Sequence, residues 1–167
     1  IKEVDLASRF FEFSDLKELL KYSARKYVDK TAFVTKIKEK GSKDVSYKNT
    51  SYEELYEEMI ALGTALYDMG YRDRRVAIIG ENSYQWCLAY FTAGSGIGVT
   101  VPLDKALEHE EIVSCLKRSN ATIIFYDKKM EKLIDEIFES GDTNLEFAVT
   151  LNFKSENPSR PSVDEMI

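Results

Sequence analysis

The sequence predicts an α/β fold: a mainly parallel sheet flanked by helices on both faces, with a small N-terminal β-hairpin. Three short segments are continuous apolar runs and do not alternate with polar residues: 76–79, 122–125 and 147–149. Strands of this kind are buried on both faces, as in a parallel sheet covered by helices. From residue 75 onward, predicted strands and helices also alternate along the chain, which is the order that parallel sheets require.

The amino-terminal part of the chain predicts one helix and the hairpin. Ser14 suits the N-cap position, and apolar residues at helical spacing after it predict a helix over residues 14–27. Residues 31–37 and 45–48 predict two strands, joined by a polar loop over residues 38–43.

A longer helix is predicted over residues 51–69, where apolar side chains repeat along one face. Two pairs could form its capping box: Thr50 with Glu53, or Ser51 with Glu54. Gly70 follows at the position that favours a left-handed residue after a helix.

The remaining elements alternate. The predicted strands cover residues 75–79, 99–101, 121–126 and 145–151. The predicted helices cover residues 83–93, 108–119 and 128–138. Acidic residues at the start of the second of these helices and basic residues at its end match the helix dipole.

Composition excludes several classes of function. The 167 residues are 44% hydrophobic and 31% charged, which is typical of a globular protein, and the length allows one ordinary α/β domain or two very small ones. The net charge is −6 with no long basic run, so no nucleic-acid partner is expected. The two cysteines form no CxxC motif, which predicts reduced thiols in a cytoplasmic protein. Residues 82–103 carry no formal charge, but their glycines and Pro102 favour a buried helix and strand over a transmembrane segment.

The glycine cluster at residues 94–98 resembles a dinucleotide-binding motif in composition only. Phosphate-binding glycines follow a strand and open a helix, whereas these follow a predicted helix and lead into a strand. Close packing of helix against strand is therefore the preferred interpretation. The strand-to-helix turn at residues 80–83 contains a single glycine and could hold an anion weakly, but the preferred interpretation is that Asn82 and Ser83 cap the helix.

The chain offers no catalytic, cofactor-binding or metal-binding residue that we can assign. The lone histidine, His109, lies in an acidic helix start, where a surface position and a helix cap are expected. Trp86 and Tyr90 could line an apolar substrate channel, although aromatic residues at helical spacing more often belong to the core.

Several motifs occur in a recognisable order. They are residues 51–55 opening a long helix, residues 75–86 with the Asn82-Ser83 cap, Ala93-Gly94, Val101-Pro102-Leu103-Asp104, and residues 110–125. Across roughly residues 13–127 this order resembles the amino-terminal subdomain of the AMP-forming acyl-CoA synthetase, luciferase and peptide-synthetase adenylation superfamily. The segment ending in Asp104-Lys105 is most similar to bacterial long-chain acyl-CoA synthetases.

This resemblance implies a partial domain of a larger acyl-CoA synthetase-like fold. Such enzymes convert a fatty acid and ATP to an acyl-adenylate and then to acyl-CoA, using ATP, Mg²⁺ and coenzyme A. The family's Ser/Thr/Gly-rich phosphate loop and the lysine of its carboxyl-terminal domain have no counterpart in this sequence. We therefore expect this piece alone to be inactive and to bind none of these cofactors, with the remainder of its own chain and a small carboxylate as partners.

The chain divides into an α/β subdomain over residues 1–151 and, over residues 152–167, a linker with the start of a truncated next element. It begins with Ile1 and stops in what resembles a first helical turn, which suggests a piece of a longer protein. A sheet edge left exposed could drive self-association. The alternative is a stand-alone binding or interaction module of flavodoxin-like fold, without catalysis.

Overall fold

The computed structural model describes residues 12–38 and 45–167. Its strands are β1 Thr31–Lys38, β2 Val45–Ser51, β3 Arg74–Ile79, β4 Gly98–Leu103, β5 Ile123–Tyr126 and β6 Phe147–Thr150. Its α-helices are α1 Leu16–Lys26, α2 Tyr52–Asp68, α3 Tyr84–Thr92, α4 His109–Ser119, α5 Glu131–Ser140 and α6 Val163–Met166. A π-helical turn, Ala93–Ile97, follows α3, and a 3₁₀ turn, Lys128–Met130, precedes α5.

The predicted fold class is confirmed. Four strands form a parallel sheet in the order β4-β3-β5-β6, and β1 and β2 form an antiparallel hairpin. Each predicted strand or helix has an observed counterpart whose ends differ by a few residues. The polar loop predicted over residues 38–43 lies outside the described residues except for Lys38, where β1 ends.

Successive residues of the central strand face opposite cores, as the pleat of a strand requires. Val76 and Ile78 belong to a core shared with α2 and α3, whereas Ala77 and Ile79 belong to a core shared with α4 and α5. All four side chains are fully buried. The sheet is thus covered on both faces, which explains the uninterrupted apolar runs in its sequence.

The strand β4 lies at an edge of the described sheet and is less buried than the other three strands. It pairs with β3 on one side, and its residue Val99 is 58% exposed. Pro102 lies within this strand, where a residue without an N–H is tolerated because the outer side has no ladder to complete. Self-association through this edge remains a prediction.

The start of α2 uses one of the two predicted capping boxes. The Ser51 backbone N–H donates to Glu54 Oε2 at 2.6 Å, and the Glu54 N–H donates to Ser51 Oγ at 3.1 Å. Gly70 ends the helix with a φ of 89°, as its position predicts. Thr50 takes no part in the box: its side chain is buried at 1% exposure, and its Oγ1 has no hydrogen-bond partner.

Within the glycine cluster, Gly94 packs the π-helical turn against β4, as the sequence predicts, because a Cβ atom there would lie 3.2 Å from Thr100 Oγ1. Gly98 instead packs one strand against another. A Cβ atom on Gly98, whose φ is 156°, would lie 1.9 Å from the Arg74 carbonyl oxygen. Only a glycine permits this contact between the start of β4 and the start of β3. Within the described ranges, every helix is too short or too polar to cross a bilayer.

Residues 151–162 leave β6 in a series of turns and return to it. The Thr150 N–H donates to the Pro161 carbonyl oxygen at 3.0 Å, and Thr150 forms an isolated parallel bridge with Ser162. Val163 then inserts into the core on the α2 side and is fully buried. This return path is held against the sheet by packing as well as by hydrogen bonds.

Candidate functional site

The strand order places a topological switch point between β3 and β5. From β3 the chain proceeds outward to β4, and from β5 it proceeds in the other direction to β6. Open α/β sheets bind ligands outside the carboxyl ends of their strands at such a point. The residues that follow these strand ends therefore define the candidate site.

The end of β3 is joined to the end of β5 by a backbone-to-carboxylate hydrogen bond. The Glu81 N–H donates to Asp127 Oδ2 at 2.7 Å. Gly80, with a φ of 157°, makes this approach sterically feasible, because a Cβ atom there would lie 3.0 Å from Asp127 Cβ. The absence of a side chain on Gly80 thus allows the ends of β3 and β5 to lie close together.

The carboxylate of Asp127 is buried and satisfied. Its residue is 4% exposed, and Oδ1 accepts a hydrogen bond from the Lys129 N–H at 2.9 Å, which caps the 3₁₀ turn. Since Oδ2 accepts from Glu81, both oxygens have backbone donors. Such bonds compensate the cost of burying a charge.

Glu81 connects these two strand ends to a third. Its carboxylate accepts a hydrogen bond from Lys129 Nζ at 2.9 Å and another from Nζ of Lys105, which follows β4. These contacts lower the pKa of Glu81 to about 2, with Lys105 contributing more than Lys129. In return, Glu81 raises the pKa of Lys129. We call Glu81, Lys105, Asp127 and Lys129 the strand-end cluster.

The strand-end cluster consists of charged side chains that are joined by hydrogen bonds. Its four side chains carry two formal charges of each sign, and the side chains of Lys105 and Lys129 are 45% and 73% exposed. Glu81 already accepts hydrogen bonds from both ammonium groups, so the cluster holds the chain segments that follow β3, β4 and β5 in place relative to one another.

Sequence reasoning did not find this cluster. It treated residues 80–83 as a helix-capping turn and gave Asp127 no role. The available signal was positional: Gly80 and Asp127 each follow a buried strand directly. The cap itself is confirmed for Ser83, whose Oγ accepts a hydrogen bond from the Trp86 N–H at 3.1 Å.

The structure brings Trp86 and Tyr90 together on α3. Their rings stack with centroids 5.6 Å apart and planes 12° from parallel. Both are partly buried and pack against the core shared with α2. This placement is compatible with the core interpretation, and a role in lining a substrate channel stays a prediction.

His109 lies on the surface, as predicted. Its side chain is 49% exposed, with Nδ1 at 3.5 Å from Glu136 Oε2. The neighbouring acids Glu108 and Glu111 form the capping box of α4, which agrees with their interpretation as a helix cap. Across residues 12–38 and 45–167, no three His, Cys, Asp or Glu side chains converge in a way that could hold a metal ion.

Comparison with known proteins identifies a family and several similar proteins. A sequence model of the AMP-binding enzyme family matches residues 20–163. Long chain acyl-CoA synthetase 4 of Arabidopsis thaliana is 26% identical over 102 residues, which cover 60% of this chain and 15% of that protein. The crystal structure of a long-chain-fatty-acid-CoA ligase from Archaeoglobus fulgidus superposes on 94% of this chain and 30% of its own, with a TM-score of 0.77 and 17% identity.

Coronafacic acid ligase from Pectobacterium brasiliense is also similar, with a TM-score of 0.73 and 20% identity over 92% of this chain and 29% of that enzyme. At these identities the two solved structures establish a shared fold. This chain spans less than a third of either enzyme and 15% of the curated plant relative.

Proposed function

Because this chain belongs to the AMP-binding enzyme family, we propose that it is the amino-terminal α/β subdomain of a larger AMP-forming acid–CoA ligase. The proposed enzyme joins a carboxylate to the AMP moiety of ATP with release of pyrophosphate. Coenzyme A then takes the acyl group through its thiol, and AMP leaves. The observation that carries this proposal is the family match over residues 20–163.

A fatty acid is the proposed carboxylate. The similar ligases are named for long-chain fatty acids in one case and for coronafacic acid in another, so the fold alone does not select the acid. The curated plant relative is a long-chain acyl-CoA synthetase, which favours a long acyl chain.

We propose that the described residues bind none of ATP, Mg²⁺ and coenzyme A. The glycine turn is closed by the contact of Gly98 with the backbone of Arg74. At the strand ends, Asp127 has both oxygens engaged by N–H groups, and Glu81 is engaged by two lysines. We therefore assign no step of the reaction to this chain and propose that the reacting groups lie in the remainder of the protein.

The proposed part played by this chain is structural. Residues 1–151 would form one wall of the larger enzyme, and residues 152–167 would lead into its next element. The strand-end cluster would face that remainder, because carboxyl ends of parallel strands form the binding edge of such sheets. A cytoplasmic location is also proposed, since Cys87 and Cys115 are free thiols; a secreted, disulfide-linked protein would contradict it.

ATP–pyrophosphate exchange tests this proposal. We expect no exchange with any fatty acid for the 167-residue chain, and fatty-acid-dependent exchange when the chain is extended by the region that its gene encodes after Ile167. Exchange by the 167 residues alone would overturn the claim that the chemistry lies elsewhere. A stop codon directly after Ile167 would instead favour a stand-alone module.

A further inference from the structure

A cleft of about 640 Å³ lies between β1 and the start of α3. Its lining includes residues 33–36 of β1, residues 82–85 and Asn152. Consecutive side chains of a strand point to opposite faces, so a cleft that touches four of them in a row runs along the edge of the strand. None of the β2 residues lines it, which places it on the edge of β1 that faces away from β2. We call this cleft the β1 groove.

The edge of β1 that borders the groove has unpaired backbone groups. β1 pairs with β2, and the structure over residues 12–38 and 45–167 gives it no second neighbour. In an antiparallel pair, alternate residues turn their N–H and C=O groups away from the partner strand. A row of such groups is a template to which another extended segment can add as a strand.

The rest of the lining suits a polypeptide backbone. Asn82, Gln85 and Asn152 carry carboxamides, which offer both donors and acceptors to a peptide group. None of these three side chains makes a hydrogen bond within the described ranges. Phe33 packs edge-to-face against the buried Tyr84, with ring centroids 5.2 Å apart, so part of the groove is a fixed apolar surface.

The helix α6 lies beside the same groove. Tyr84 donates a hydrogen bond to Glu58 Oε2 at 2.7 Å, and its pKa is raised by burial, then by Glu58 and by nearby acids that include Asp164 of α6. Met166 packs against the core that contains Tyr84, and Ile167 is 44% exposed. A continuation of the chain beyond Ile167, as the proposed function requires, would therefore begin near the groove.

We propose that an extended segment of the larger protein, carboxyl-terminal to Ile167, lies in the β1 groove and pairs with the free edge of β1 as a third strand. Its backbone bonds to the outward N–H and C=O groups of residues 33–36. The carboxamides of Asn82 and Asn152 bind its other side. This inference rests on the proposed function, and it names the surface through which the hairpin is joined to the remainder of the enzyme.

Amide hydrogen exchange tests the pairing in two proteins: the 167-residue chain, and the chain extended by the region that its gene encodes after Ile167. In the shorter chain, the outward amides among residues 33–36 should exchange rapidly at every protein concentration. In the extended protein we expect these amides to exchange about 100-fold more slowly, because they now donate to a neighbouring strand.

The two cysteines give a second readout with a control within the same chain. Cys87 lines the groove, whereas Cys115 lies on α4 and does not. Both are free and partly buried. Alkylation by iodoacetamide should slow at least about tenfold at Cys87 relative to Cys115 in the extended protein, because the thiol must be accessible to react. An equal change at the two thiols would contradict a segment seated in the groove.

The outcomes separate this inference from the proposed function. Unprotected β1 amides in an extended protein that catalyses fatty-acid-dependent ATP–pyrophosphate exchange would overturn the pairing and leave the ligase proposal intact. Protected β1 amides without exchange activity would support the pairing and count against the ligase. Protection already present in the 167-residue chain would also overturn the inference. A concentration-dependent protection would then assign the groove to a second copy, and a concentration-independent one to a segment of the same chain.

Discussion

The Glu81 N–H and Asp127 Oδ2 lie 2.7 Å apart and join the carboxyl ends of the two central parallel strands. The bond is feasible because Gly80 has no side chain at the point where Asp127 passes. Since Asp127 also caps the turn that leads into α5, one buried carboxylate positions both connections at the switch point of the sheet.

Asp127→Ala should destabilise the chain by about 2–4 kcal/mol, because two backbone N–H groups lose a charged acceptor in a nearly buried position. Urea unfolding followed by circular dichroism measures this change. Asp104→Ala is the control: its carboxylate accepts one hydrogen bond from the exposed Ala106 N–H, so the expected loss is under about 1 kcal/mol. Equal losses in the two variants would contradict a special role for Asp127.

Acid should weaken the fold partly through Glu81. Its pKa falls from 4.5 to about 2 on folding, so its contribution is present above about 4.5 and disappears as the pH drops through about 2. The pKa of Glu165 is also lowered to about 2, mainly by Lys154, so protonation of Glu165 should likewise reduce the stability of the fold at acid pH. Urea midpoints measured at several pH values should therefore fall less steeply for Glu81→Gln than for the parent chain. A parallel pH dependence in the two proteins would show that the Glu81 ion pairs are not formed in solution.

The main elements of this fold could be predicted from local sequence, because a strand that is buried on both faces has an uninterrupted run of apolar residues. The central strand shows it: residues 76–79 are apolar without interruption, and each faces one of the two cores.

The positions at which helices start could be predicted to within one or two residues, but the capping residue could not always be chosen. At α1 the cap is Asp15, whose Oδ1 accepts from the Glu18 N–H, and the predicted cap Ser14 was wrong. At α2 the sequence left Thr50 and Ser51 open, and Ser51 is the cap.

The strand-end cluster could not be predicted in the same way. Glu81 and Asp127 are 46 residues apart in sequence and meet only because β5 is placed beside β3. The order of strands in a sheet is a property of the whole chain, and the sequence pattern indicated that strands exist without giving their neighbours. The burial of Arg160, which lies in a segment predicted as a linker, could not be predicted either, because it also depends on contacts with residues distant in the sequence.

Gly98→Ala should be among the most destabilising single substitutions in the chain, because its Cβ would lie 1.9 Å from the Arg74 carbonyl oxygen. A loss of about 4 kcal/mol or more is expected, since the backbone of β3 or β4 has to shift. Gly96→Ala is the matched control: Gly96 has a φ of 148° but nothing within 4 Å of its Cβ position. Backbone strain alone should cost about 1–3 kcal/mol there. Thermal or urea unfolding measures both, and a smaller loss for Gly98→Ala than for Gly96→Ala would contradict the close contact.

Ser51→Ala should lower stability by about 1 kcal/mol through loss of the α2 cap. Thr50→Val should not lower it, because Thr50 Oγ1 is buried without a hydrogen-bond partner and a methyl group of similar size removes that penalty. Urea unfolding of the two variants distinguishes them. The reverse order would indicate that Thr50 with Glu53 forms the box in solution.

Arg160→Met should loosen the return of residues 151–162 to the sheet. The Arg160 side chain is 7% exposed, its Nη1 lies 2.5 Å from Asp135 Oδ1, and its guanidinium lies over the ring of Phe138. Methionine preserves much of the apolar stem but no donor, so a loss of about 1–3 kcal/mol is expected. Amide hydrogen exchange at Thr150, whose N–H donates to the Pro161 carbonyl, should accelerate.

Lys154→Met is the control: it removes an exposed ion pair with Glu165 and should leave the exchange rate at Thr150 nearly unchanged. If the Thr150 amide exchanges equally slowly in both variants, the buried guanidinium of Arg160 does not hold this segment against the sheet. Packing of Val163 in the core would then have to hold it.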